Sequence, residues 1–389
     1  MIRERCPELV ALLAVVIAHA CCTSLTAGQE PNTASAFDRQ ALLEMMAEHE
    51  IPGLAVAVTH RGKDYDCNLG VADRESSVAV TRETIFEIGS VSKVFTAIAA
   101  ALADQNGTIS LEAPIGRYMD ELAGTPLGSV PVYHLATHTA GGFPLQVPER
   151  VDSEASLIEY YREWEPQHPP GTRRHYANPS VGLLGLLVAR ASGTTYAELM
   201  ESGLFEDLGL GSTYIRVPRN ALDKYAWGYN RAGERVRVNP APLADEAYGV
   251  KTTAADLLRV LKLNLSCPEA SGPLERAICR THVGHFDTGD FQQALIWERY
   301  EYPLDRDRLR SGNSYEMILR PSEVVEVDAR SPDEHAFALS KTGSTAGFGA
   351  YVLVLPDEDL AIVLLANKNY PIRARLDAAL GIAAELLSP

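Results

Sequence analysis

Two β-hairpin patterns lie at opposite ends of a chain of 389 residues. Residues 54–59, a turn at Arg61-Gly62-Lys63 and residues 64–71 make the first; residues 349–355, the turn Pro356-Asp357-Glu358-Asp359 and residues 360–367 make the second. An isolated hairpin is marginal in water because it cannot bury its apolar face alone. The pair therefore predicts one antiparallel sheet assembled from both chain ends, with the intervening chain looped out of it. That middle, residues 106–234, carries helical patterns and loops, clearest at 181–191. Helical patterns also flank the sheet, at 35–49, where Ser35 and Asp38 have capping-box spacing, and at 373–387. The predicted fold class is α+β: a central antiparallel sheet formed by both chain ends and flanked by helices, with an inserted all-helical subdomain. No repeat, low-complexity tract or long linker follows residue 35, so residues 28–389 read as a single domain. Within it, 28–105 and 235–389 form the sheet lobe and 106–234 the mainly helical lobe. A ligand site is expected in the cleft where they meet.

Residues 1–27 have the layout of a signal peptide: Arg3 and Arg5, an apolar run over 9–18, then small residues. Cleavage fits after Ala18-His19-Ala20 or after Thr26-Ala27. The apolar run is too short to span a bilayer comfortably, so a soluble, exported protein is expected, periplasmic in location. Six cysteines reduce to three, Cys67, Cys267 and Cys279, if cleavage falls after Ala27. In an oxidising compartment Cys267 and Cys279 can close a short loop; three unpaired thiols are the other reading. The formal charge of −16 disfavours nucleic acid and anionic membrane surfaces as partners. A small soluble substrate and a monomeric protein are expected.

Three short elements carry chemistry. In Phe86-Glu87-Ile88-Gly89-Ser90-Val91-Ser92-Lys93, Ser90 stands at the start of an apolar helical pattern that Gly107 can stop. Lys93 then lies one turn along the same face, where it can activate a serine hydroxyl that is otherwise a weak nucleophile. Taken alone, Ser90 reads better as a helix cap and Lys93 as a surface lysine. In His175-Tyr176-Ala177-Asn178-Pro179, Tyr176 is a phenol placed to act as acid or base beside lysines, while Asn178 is a candidate cap for the following helix. In Lys341-Thr342-Gly343-Ser344, Lys341 and Thr342 on an edge strand can bind a carboxylate. There Gly343 permits close backbone approach and the Ser344 amide can polarise a carbonyl. A glycine-rich turn into the last hairpin is the plainer alternative.

The three motifs in this order resemble those of the class C serine β-lactamases, the cephalosporinases of the penicillin-recognising serine enzyme superfamily. The resemblance runs from about Ile51 to the C-terminus. It extends to Ile51-Pro52-Gly53, to His134-Leu135-Ala136-Thr137-His138-Thr139 and on through Gln146-Val147-Pro148, to Glu246-Ala247-Tyr248-Gly249-Val250-Lys251, and to Asn369-Tyr370-Pro371. A tyrosine at the second motif, where class A has Ser-Asp-Asn, marks class C. The resemblance implies hydrolysis of cephalosporins and penicillins through an acyl-enzyme on Ser90, and hence β-lactam resistance. Lys93 and Tyr176 would handle protons as a coupled pair. It implies that Gln146 and Asn178 hold the acylamino side chain, with Tyr248 lining its pocket. Lys341, Thr342 and Asn369 would meet the carboxylate, and the amides of Ser90 and Ser344 would form an oxyanion hole. Many relatives carry Asn where Ile372 stands; Arg375, one turn on, is the candidate replacement for that carboxylate contact. No metal or other cofactor is called for by serine chemistry of this kind.

Rival readings share the same residues. A D-Ala-D-Ala carboxypeptidase or a related serine esterase would keep Ser90 and Lys93, although related esterases usually alter the third motif. A non-catalytic sensor would be expected to have lost Lys93 or Tyr176. His134 and His138 have metal-pair spacing without a following Glu or a third ligand, and read as structural.

Overall fold

The structure, a computed structural model, describes residues 37–239, 241–328 and 336–388. The expected leader and Ser35 lie outside the described residues. Ten strands make the main sheet: β1 Gly53–His60, β2 Lys63–Asp73, β3 Val78–Ala79, β4 Phe286–Asp287, β5 Gln292–Gln293, β6 Glu298–Glu301, β7 Val325–Glu326, β8 Phe337–Ser344, β9 Gly349–Leu355 and β10 Leu360–Ala366. Their order across the sheet is β7-β4-β5-β6-β8-β9-β10-β1-β2-β3. The pairings are antiparallel throughout, as predicted. The two ends of the chain meet between the sheet's seventh and eighth strands, with Leu54 opposite Ala366 and His60 opposite Leu360. Among the described residues, 80–285 contribute no strand to this sheet.

Five helices cover the sheet or frame the cleft: α1 Arg39–Glu48, α2 Ser92–Gln105, α3 Asn178–Ala191, α4 Ala254–Leu265 and α5 Ile372–Leu387. Strand periodicity divides the core between the two faces of the sheet. Leu54, Val56 and Val58 join a cluster with Leu42 and Met46 of α1 and Leu376 and Ile382 of α5. The intervening Ala55 and Ala57 face a second cluster with Ile98 of α2 and Leu257 and Leu261 of α4. Because both faces are covered, β1 is buried along its whole length. Each fully buried Leu or Val contributes roughly 1.5–3 kcal/mol relative to exposure.

The first helix starts later than expected. Asp38 is its N-cap, accepting from the Gln40 amide at 2.7 Å, so the cap lies three residues beyond Ser35. The hairpin turn at Arg61-Gly62 places both residues at positive φ, 50° and 76°, the twist that a two-residue connection requires. Gly107, at φ 75°, follows the end of α2 as anticipated. A disulfide joins Cys267 to Cys279, tying the chain just after α4 to the helix Pro273–Arg280. Cys67 on β2 is a buried free thiol.

Candidate active site

Ser90 occupies a 3-10 turn, Gly89–Val91, that leads into α2. It caps nothing: the N-cap of α2 is Val91, without a side-chain bond. Its Oγ instead lies 3.1 Å from Lys93 Nζ. Lys93 is fully buried, and its ammonium also donates to Asn178 Oδ1 at 2.6 Å and to the Ala247 carbonyl at 2.7 Å. Three acceptors match its three protons. The capping role considered for Asn178 is thereby corrected. α3 begins at Asn178 itself, with Ala177 as N-cap and no side-chain capping bond, because a buried ammonium competes more strongly for the amide oxygen than a helix end does.

Lys341, Thr342, Gly343 and Ser344 lie within β8, the fifth strand of ten, so β8 is not an edge strand of the whole sheet. Locally the expectation survives in another form. Pairing with β6 stops at Glu298 opposite Ser340, and from residue 341 onward β8 has only β9 beside it. The Ser90 turn fills the vacated side. A Cβ on Gly343 would collide with the Ile88 carbonyl, and one on Gly89, at φ 51°, would collide with the Ser344 amide. Glycine at both positions lets the two backbones touch, which brings Ser90 and the Ser344 amide to one place.

Tyr176, buried, completes the group. Lys93 Nζ and Lys341 Nζ each lie 5.2 Å from its ring centroid, and the Arg174 guanidinium 5.5 Å. Burial raises the phenol pKa, but the Lys93 and Lys341 ammonium groups, helped by the Ser90 hydroxyl, outweigh it and hold the phenol below its ordinary range. Burial also lowers the Lys93 pKa, an effect that Lys341 reinforces and Tyr176 opposes. Lys341 moves the other way. Although desolvation disfavours its charge, the Glu298 carboxylate, bonded at 2.9 Å, keeps it above the usual lysine value.

A cavity of about 320 Å³ opens on Ser90, Tyr176, Asn178, Lys341, Thr342, Gly343 and Ser344, with Gln146 and Asn369 at its sides and Tyr315, Ile318, Leu319 and Ile372 forming an apolar border. Three larger cavities, of about 470, 560 and 760 Å³, hold none of the three motifs. Two of the expected residues stand apart from this cleft. Tyr248 ends the helix Ala244–Tyr248 and does not line the cavity, though its neighbour Ala247 serves Lys93. Arg375 is fully buried behind the wall. Its Nη1 donates to the Gly343 carbonyl at 2.6 Å and to Ser344 Oγ at 3.0 Å, and its Nη2 to Asn369 Oδ1 at 2.8 Å and the Tyr370 carbonyl at 2.6 Å. With Nε also bonded to Tyr370, no donor is left to point at a ligand.

The structure separates the two histidines of the metal-like spacing. His134 bonds Thr139 Oγ1 at 2.7 Å and stacks on Tyr133, while His138 packs on Tyr176. Sequence reasoning missed Glu298 and Arg174, both buried charges beside the motifs. The only local signal for Glu298 was a carboxylate set after the apolar run Ala294-Leu295-Ile296-Trp297.

A serine bonded to a buried lysine, a phenol beside two lysine side chains and a β8 backbone amide packed against the serine's turn define an acyl-transfer site of the serine type. The family comparison agrees. The chain belongs to the beta-lactamase family, whose model, described as Beta-lactamase, matches residues 39–387. A Beta-lactamase of Pseudomonas fluorescens is 42% identical over 342 residues, covering 88% of this chain and 96% of that one. The structure of a class C beta lactamase from Rhodobacter sphaeroides superposes with a TM-score of 0.86 at 44% identity, covering 90% of this chain and 99% of that one. A Beta-Lactamase/D-Alanine Carboxypeptidase from Pseudomonas syringae has the same TM-score, 0.86, and 44% identity, covering 90% of this chain and 98% of its own. Among the described residues no helix is long and apolar enough to cross a membrane, and no group of three or more His, Cys, Asp or Glu is placed to hold a metal ion.

Proposed function

We propose that this chain hydrolyses the β-lactam amide of cephalosporins and penicillins, class C fashion, through an ester on Ser90. The observation that carries the reading is the Lys93 ammonium held between Ser90 Oγ, Asn178 Oδ1 and the Ala247 carbonyl, beside the phenol of Tyr176. Ser90 Oγ attacks the lactam carbonyl carbon as the Lys93–Tyr176 pair takes the hydroxyl proton. The carbonyl oxygen becomes an oxyanion that the amides of Ser90 and Ser344 receive. The C–N bond then breaks, and the ring nitrogen takes a proton from Tyr176. A water molecule attacks the ester, giving its proton to the same pair, and Ser90 leaves with a proton restored. Neither Lys93 nor Tyr176 is singled out as first acceptor, because the two titrate together.

Gln146 and Asn178 are assigned to the acylamino side chain, with Tyr248 beyond them. Lys341 and Thr342 are assigned to the carboxylate. Arg375 acts at one remove: by occupying Asn369 Oδ1 and Ser344 Oγ it turns their remaining protons towards the cleft, which offsets the apolar Ile372. Within the described residues, we assign the sheet segments up to residue 105 and from residue 235 to one wall of this cleft and the helical segment 106–234 to the other, in a monomeric periplasmic enzyme.

A second reading, D-Ala-D-Ala carboxypeptidase, draws support from the Pseudomonas syringae neighbour whose name carries both activities. Steady-state rates of one preparation on a cephalosporin, a penicillin, a D-Ala-D-Ala peptide and a simple ester distinguish the two. Fast turnover of the lactams and its loss in Ser90→Ala is the expected result. A stable adduct on Ser90 without turnover favours the peptidase or sensor reading, and comparable turnover by Ser90→Ala refutes the mechanism.

A further inference from the structure

His138 has no place in the chemistry above, yet both amides that flank Tyr176 end on it. The His175 N–H donates to the His138 carbonyl at 2.9 Å, and the Ala177 N–H donates to His138 Nδ1 at 3.2 Å. The imidazole itself lies against the phenol, with ring centroids 4.4 Å apart. His138 is 2% exposed and holds the left-handed backbone at φ 59°, a region uncommon for residues other than glycine in which histidine is among the better tolerated. Its backbone contact with His175 is available to any residue. The contact with Ala177 belongs to the imidazole alone.

We propose that His138 is a positioning residue for Tyr176, fixing the phenol between Lys93 and Lys341 by accepting the Ala177 amide proton on an uncharged ring. The inference rests on the reading of Tyr176 as a proton-transfer group.

The geometry requires neutrality. If Nδ1 accepts, the ring proton sits on Nε2, and a second proton on Nδ1 would set one N–H against another. The surroundings enforce the same state. Burial, followed by Arg174 on the neighbouring segment, Lys93 on α2, Lys341 on β8 and His175, holds the imidazole well below its ordinary pKa. A histidine here thus supplies an acceptor and a flat face without adding a further cation to a site that already has three. No aliphatic side chain supplies the acceptor.

The test compares His138→Leu, which keeps bulk without an acceptor, with His138→Asn, whose amide oxygen can stand in for Nδ1. Both are measured on a chromogenic cephalosporin, with kcat calculated per active site counted from the acylation burst, so that misfolded protein drops out. A displacement of the phenol by about 1 Å can cost on the order of 100-fold. His138→Leu should lose 10- to 100-fold in kcat with little change in KM, and the acid limb of its kcat/KM profile should move to higher pH as the phenol drifts from the two ammonium groups. His138→Asn should keep kcat within about 3-fold of the parent, as expected when only the acceptor matters. If the two variants have equal kcat, whether high or low, or if the acid limb stays put while kcat falls, the proposal is wrong. Tyr176→Phe is run alongside. If that variant turns over normally, the reading of Tyr176 has failed; if it is slow while His138→Leu is fast, only the role of His138 has.

Discussion

The buried pair of Lys341 and Glu298 offers the sharpest test of how charge is balanced in the cleft wall. Their side chains are 2% and 5% exposed and bonded at 2.9 Å. Changing Glu298 to Gln preserves shape and one hydrogen bond but leaves Lys341 uncompensated next to Arg174 and Lys93. Breaking a buried pair by removing one partner costs about 3–5 kcal/mol, mostly the desolvation of the charge left behind. The converse change, Lys341→Met, should cost less, because Glu298 still has Arg174, whose charge it already stabilises. Removing both partners should lose less than the two single losses added together, since no orphaned charge remains. The pH dependence has a definite sign. Lys341 has a folded pKa raised above its unfolded value, so its contribution is complete at neutral pH and is lost as pH rises through the folded value. The gap between parent and Glu298→Gln should therefore be widest where Lys341 is charged in both proteins and narrow as pH rises, first as the variant's uncompensated lysine sheds its proton below the ordinary lysine value of ~10.4 and then as the parent's does above it. Urea unfolding at 25 °C followed by fluorescence and circular dichroism measures all four proteins. A Glu298→Gln loss under about 1 kcal/mol, or single losses that simply add in the double variant, would refute this account.

Lys341→Met should also move the acid limb of kcat/KM upward, because the lost ammonium lowers the pKa of both Tyr176 and Lys93 in the parent; a limb at unchanged pH would show that Lys341 does not tune the pair. Replacing Cys267 and Cys279 by Ala should cost about 3 kcal/mol from the short loop they close, read as a lower urea midpoint with kcat retained. Midpoints within error of the parent would contradict it. Gly343→Ala should slow acylation by about 100-fold, because the new methyl pushes the Ser90 turn away from the Ser344 amide; stopped-flow acylation at the parental rate would count against that oxyanion site.

The hairpins at the two chain ends were legible because period-two patterning and turn residues are local signals, and their strand limits shifted by no more than three residues. Ser90, Lys93, Tyr176 and Lys341 were legible as types at telling spacings. What escaped detection depended on tertiary contacts. Asn178 obeys every local rule for a cap, but a lysine 85 residues earlier claims its oxygen. The Ala247 carbonyl has no side-chain signature at all. Likewise, that β8 is central to the sheet yet open beside residues 341–344 follows from where β6 stops, a length that its own sequence does not announce.

These long-range contacts decide how the site holds its protons. Lys93, Lys341 and Arg174 are three buried basic groups around Tyr176, and the Glu298 carboxylate lies among them. Such an excess is relieved when the phenol gives up its proton or Lys93 stays neutral, and either state leaves a base beside Ser90. The burial that makes the lysine reluctant to charge and the lysines that make the phenol willing to ionise act on the same proton. On the proposed function, a substrate carboxylate entering near Lys341 and Thr342 adds a further negative charge to the cluster. That raises the proton affinity of the pair at the moment when it must accept the Ser90 proton. On this view the cation bordering the carboxylate site serves both binding and chemistry, so no substitution at Lys341 can separate the two cleanly.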